Sequence, residues 1–104
     1  MKLKVKRIIV SEGERIEELV REGKFSLALA EIRESKLHVH RRLTEFYLVF
    51  DGEGVLFLGD KRIGLRKGDV IRIPPNVPHK VVGRVKIFVI SVPPWRSDDH
   101  ILLE

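Results

Sequence analysis

From Phe25 to the end of the chain, apolar segments rich in Val, Ile, Leu and Phe are cut by Gly, Asp and Pro at short intervals. The segments read FSLALAEIRES, LHVH, EFYLVF, GVLFL, KRIGL, DVIRI, HKVVG and VKIFVISV. Turns are predicted between them at DGEG (51–54), LGDKR (58–62), RKGD (66–69) and PPNVP (74–78). Many short strands with such regular punctuation require an all-β chain, closed as a barrel or stacked as a two-sheet sandwich. YLVF, VLFL and VKIFVISV are apolar on both faces, so part of the outer surface is also expected to be covered, and a two-fold homodimer is the simplest cover.

Ahead of the strands, residues 2 to 10 read as a strand with Lys2, Lys4 and Lys6 on one side and Leu3 and Val5 on the other. The next stretch, SEGERIEELVREG, predicts one short N-terminal helix over residues 12–22. Ser11 and Glu14 have the spacing of a capping box, Ile16, Leu19 and Val20 give a helical stripe, and Gly23 is the stop.

The whole length of 104 residues, 1–104, suits a single domain with one core. No apolar run approaches the roughly 20 residues of a membrane helix. MKLKVKRIIV lacks the long apolar centre of a secretory signal, so a cytoplasmic protein is expected. Glutamine is absent and asparagine occurs once among abundant Lys, Arg and Glu, the bias of thermophile proteins. The net charge of +5 would favour anionic partners, yet the basic residues are dispersed and no nucleic-acid-binding motif is present. No phosphate-binding glycine loop, nucleophilic serine context or HExxH occurs either. With no cysteine in the chain, any metal must be held by nitrogen and oxygen.

Four histidines remain to be explained. His38 and His40 alternate along one strand, so both project from the same face, a spacing that suits two imidazoles converging on one cation. Glu45 would point away if that strand ran on. It turns back toward the histidines only if RRLT is a hairpin connection opening the neighbouring strand. His79 follows Pro74, Pro75 and Pro78, which stiffen its approach, and Asn76 falls where a tight turn calls for positive φ. Tyr47 shares the face of Glu45.

The pattern H-x-H-x4-E-x6-G at His38, His40, Glu45 and Gly52, then G-x5-P-x-N-x2-H at Gly68, Pro74, Asn76 and His79, resembles the two motifs of the cupin superfamily. The likeness spans residues 26–95, and within the superfamily the chain is similar to small single-domain members related to mannose-6-phosphate isomerase. Asn76 stands where the family usually has Gly, and Gly83 where it often has Asn. The resemblance implies a jelly-roll β-sandwich barrel holding one divalent transition metal (Mn, Fe, Co, Ni, Cu or Zn) on His38, His40, Glu45 and His79.

On that reading the chain acts on a small polar molecule such as a sugar or sugar phosphate, with the ion as Lewis acid. A dioxygenase, or a binding module without turnover, fits the same ligands. Tyr47 is the candidate catalytic residue beside the metal, although as a base it would need a lowered pKa. Tyr47, Arg72, Phe88 and Trp95 are candidate substrate contacts, with Arg41 and Arg42 at the proposed mouth. His100 reads as a surface or dimer contact rather than a fifth ligand. Metal affinity is expected to fall below about pH 6 as imidazoles protonate.

Overall fold

The computed structural model describes every residue from Met1 to Glu104, in nine strands and one 3₁₀ turn at Ser97–Asp99. The strands are β1 (Arg7–Ser11), β2 (Glu14–Arg21), β3 (Ser26–Glu34), β4 (His38–Val39), β5 (Thr44–Leu58), β6 (Lys61–Arg66), β7 (Val70–Ile73), β8 (His79–Val92) and β9 (Ile101–Leu102). Two of them organise the rest. β5 and β8 run antiparallel along their whole length, from Thr44 opposite Val92 to Leu58 opposite His79. The far edge of β8 takes β3 and then β4, and the far edge of β5 takes β7 and then β6. One wall is therefore β1-β2-β3-β8-β5-β7 and the other β9-β4-β8-β5-β6, two layers made by folding a single sheet across its longest pair.

The crease lies where β5 and β8 meet without side chains. Gly83 has φ of +123°, and a Cβ added there would come within 2.6 Å of the Gly54 Cα and 2.7 Å of the Glu53 carbonyl oxygen. Only paired glycines let the two backbones approach so closely. Inside the fold, alternate residues supply the core: Val81, Val85 and Ile87 from β8, Val49 and Leu56 from β5, Leu65 from β6 and Ile73 from β7. The outer face of the same sheet is apolar too, as the unbroken strand composition implied, with Leu48 at 40% and Val70 at 67% exposure. The result is an all-β jelly-roll sandwich.

The N-terminal region differs from the expectation. Residues 12–22 form no helix. Glu12 and Gly13 make a hairpin tip between β1 and β2, and Ser11 pairs with Glu14 instead of capping it. Ile16 and Val20, four apart, would share a face in a helix, but the bulge at Leu19 puts them on opposite faces of β2. Tertiary pairing decides the ambiguity, since Ile16 lies opposite Ala30 and Glu18 opposite Ala28, while Leu19 falls at a bulge. The first strand also begins later than its lysine alternation suggested, at Arg7.

Three of the four predicted turns are present, and Asn76 has the anticipated positive φ, +68°. DGEG is not a turn. β5 passes straight through Asp51–Gly54 because β8 accompanies it, with a bulge between Val49 and Asp51 and Gly52 just beyond it at φ +80°.

Candidate metal centre

His38 lies on β4 directly opposite His79 on β8. His40 follows after Val39, and Glu45 is the second residue of β5. RRLT is not a hairpin connection: β4 pairs with β8 and β9, β5 with β6, β7 and β8, so residues 40–43 cross from one wall to the other. The crossing nevertheless returns the carboxylate to the histidines. It is held by Asp99, whose two carboxylate oxygens accept the backbone N–H groups of Arg41 (2.8 Å), Arg42 (3.2 Å) and Leu43 (3.1 Å). Those three bonds keep Asp99 ionised against the opposing effect of burial.

One ligand atom from each of His38, His40, Glu45 and His79 lies within 4.8 Å of all the others, and all four residues are buried. The hydrogen bonds around them show what the cluster is built to hold. His38 Nδ1 donates to the Lys36 carbonyl at 2.7 Å, and His79 Nδ1 donates to the Val77 carbonyl at 2.9 Å. A carbonyl only accepts, so both rings carry hydrogen on Nδ1 and, when neutral, a lone pair on Nε2. His79 Nε2 then faces Glu45 Oε1 at 3.1 Å, lone pair against carboxylate, an arrangement that needs a proton or a cation between them. His40 Nδ1 is 3.5 Å from the same oxygen, and His40 Nε2 is buried with no partner. The donor set fits a divalent transition metal.

Electrostatics agree with that donor set. Burial, reinforced by the His79 charge, lowers the His38 pKa to about 4, and burial also lowers that of His40. Burial opposes the Glu45 charge, but the contact with His79, filled by a proton on Nε2 or by a cation, together with the neighbouring imidazoles outweighs it, so the carboxyl stays ionised. Neutral His38 and His40 with an ionised Glu45 are in the states that coordinate.

Tyr47 is 5% exposed and lines the same cavity as the cluster, but burial and Glu45 push its pKa well above the phenol range, opposite to the shift a base requires. Trp95 also lines the cavity. Its backbone N–H donates to Ser26 Oγ at 2.9 Å, and the Arg7 guanidinium lies 5.4 Å from its ring centre. Arg72 and Phe88 do not reach the cavity. Arg72 alternates with inward-facing Ile71 and buried Ile73, and Phe88 with buried Ile87, so both face outward, where Phe88 stacks on Phe50 at 4.6 Å.

Two residues join the site that the sequence reading placed elsewhere. His100 is no surface contact: its ring stacks on His38 at 4.4 Å, and its buried Nδ1 has no partner. The Ser97–Asp99 turn and β9 bring it there, and no spacing within WRSDDHILLE signals it. Glu14 opens β2 and lines the cavity from the opposite wall, with its pKa raised by burial and by Glu45. Its spacing from Ser11 concealed it as a capping residue.

A folded single sheet with a buried cluster of three histidines and one glutamate beside its core defines a β-cup whose donor cluster could hold a metal ion. The cupin domain family matches residues 25–91, and the chain belongs to it. MJ1618, an uncharacterized protein of Methanocaldococcus jannaschii, is 35% identical over 97% of this chain and 90% of its own. Among solved structures, the nucleoside dehydratase Pac13 of Streptomyces, with uridine, superposes with a TM-score of 0.90 over 99% of this chain and 90% of that one, at 17% identity. KdgF of Halomonas sp. does so with a TM-score of 0.77 over 86% and 88%, at 18% identity. These two structures share the fold with this chain.

Proposed function

We propose that the chain holds one divalent transition metal ion through His38, His40, Glu45 and His79 and acts on a small polar molecule of the sugar kind, with isomerase-like chemistry. The observation that carries this reading is the His79–Glu45 contact, in which a lone pair and a carboxylate oxygen face each other at 3.1 Å in a buried cluster. A bound ion would supply Lewis acidity toward a carbonyl or hydroxyl oxygen. The protein's own groups orient the molecule and move protons. Tyr47, kept protonated by burial, donates a hydrogen bond, and Glu14, whose carboxyl is drawn toward neutrality, is the proton-transfer group outside the ligand set.

Elemental analysis of purified protein, followed by calorimetric titration with Mn(II), Co(II) and Zn(II), tests the centre. His38→Ala and Glu45→Ala are each expected to weaken metal binding by about 100-fold or more. Undiminished metal in both variants would remove the assignment. A binding module without turnover is the second reading, favoured because the buried phenol of Tyr47 is held protonated instead of being activated as a base. Turnover lost in Glu14→Gln with metal retained supports the enzyme, and no turnover across sugars and dioxygen-dependent substrates supports the module. The apolar outer face of β5, β7 and β8 supports self-association as a homodimer.

A further inference from the structure

The walls of the cup carry a charge pattern that bears on its ligand. Three carboxylates line the cavity, Glu14, Glu18 and Glu45, and no lysine or arginine does. In a protein with 20 Lys and Arg against 15 Asp and Glu, this interior is inverted relative to the chain as a whole. The nearest guanidinium groups are already engaged. Arg7 and Arg21 both bond Glu18 Oε2, at 3.3 and 3.2 Å, and Arg21 also donates to the Trp95 carbonyl at 2.7 Å. Arg96 is paired with Asp98, and Arg72, the sequence candidate for an anion contact, faces outward.

A phosphate ester carries close to two negative charges near neutral pH, and burial without a basic partner is costly. Here the bound ion would be its only cationic partner, since Glu18 already holds both neighbouring guanidinium groups and the opposite wall presents Glu14 with no lysine or arginine lining the cup. The other polar groups of the cup suit hydroxyls instead. Glu14 accepts or shares a hydrogen bond, the Ser91 and Tyr47 hydroxyls donate and accept, and His100 presents a buried ring nitrogen with no protein partner. Ala28, Ala30, Val89 and Trp95 supply apolar surface between them, the kind of wall against which the C–H face of a sugar ring packs.

We infer that the cup selects an uncharged, hydroxyl-bearing ligand, a free sugar or the sugar of a nucleoside, and discriminates against its phosphorylated counterpart, with His100 and Glu14 as the hydrogen-bonding walls. This rests on the metal-centred reading above and narrows its substrate class. Charge discriminates here more strongly than shape, since an unpaired buried anion costs more than a lost methylene contact.

The test first titrates the wild-type protein with Co(II), then titrates the loaded protein with two matched pairs: ribose against ribose 5-phosphate, and uridine against uridine 5′-monophosphate. The neutral member of at least one pair is expected to bind about tenfold more tightly than its monophosphate, and the pair that responds identifies the source of the sugar. His100→Phe, which keeps the stacked ring, should leave Co(II) affinity within about twofold and weaken the neutral ligand by about fivefold. Glu14→Lys places a cation in the cup and should narrow or reverse the preference against phosphate. Equal or tighter binding of both monophosphates overturns the inference, as does no measurable binding of either neutral compound to about 20 mM. No Co(II) uptake by the wild type removes the metal reading and this inference together, whereas uptake with a phosphate preference removes the inference alone.

Discussion

At His79 a single backbone carbonyl fixes the chemistry of a side chain. The Val77 oxygen takes the Nδ1 hydrogen, and the opposite nitrogen is left facing Glu45. His38 is set in the same way by Lys36. Burial then separates the folded from the unfolded titration, since His38 titrates at about 4 in the fold against 6.5 in an unfolded chain. Between those values the unfolded chain binds a proton that the folded one does not, so stability falls as pH drops through 6.5 toward 4 and levels off below. For His38 in the metal-free protein the loss amounts to about 3 kcal/mol, with His100, also lowered to about 4, acting in the same direction. Urea unfolding in chelator at pH 7 and at pH 4.5 measures it, and equal midpoints would contradict burial of the neutral rings. Metal affinity is expected to fall as the pH drops below about 6, because protonated imidazole cannot coordinate, and an affinity unchanged from pH 5 to 8 would contradict this.

Among the elements, the crossing between β4 and β5 has no strand partner and depends on one carboxylate. Asp99→Ala would leave three backbone N–H groups of residues 41–43 without their acceptor, at a cost of about 2 to 3 kcal/mol, and would loosen His40 and Glu45 together. A fall in metal affinity beyond the change in thermal midpoint, recovered in part by Asp99→Asn, is the expected result. The crease of the long pair is equally specific. Gly83→Ala forces a side chain onto Gly54 and Glu53 at positive φ, and should cost about 2 kcal/mol or more in chemical denaturation. The neighbouring core position Ile87, fully buried, should lose about 2 to 5 kcal/mol on truncation to Ala.

For the whole molecule, the outer face of the folded sheet is where composition and exposure disagree most. Leu48, Val70, Ile90 and Val92 stand at 40%, 67%, 37% and 43% exposure on strands whose inner faces are fully packed. Such a surface on neighbouring strands is what an interface between two copies would use. The proposed homodimer predicts a sedimentation mass near twice the chain's 12.0 kDa, and a shift to monomer in Leu48→Glu combined with Ile90→Glu. A monomer at high micromolar concentration for the unaltered protein would remove it.

The chain's own pattern determined the strand-rich class, three of the four predicted turns, positive φ at Asn76 and the spacing of the four histidine and glutamate positions. Each of these depends on the alternation of neighbours or on the conformational range of a single residue. The structure alone decided the rest. Ile16, Leu19 and Val20 have helical spacing, and only pairing with β3, which accommodates Leu19 at a bulge, makes the segment a strand. Asp51–Gly54 stays within a strand only because β8 runs beside it. Arg72 and Phe88 are residue types that suit a cup, but strand parity turns both outward. His100 enters from a distant tail that carries no periodicity, through bonds between Asp99 and a loop more than fifty residues away. Local pattern encodes which way a side chain points along its own strand, whereas the company it keeps depends on contacts between segments far apart in the chain, and those exist only once the sheet has folded on itself.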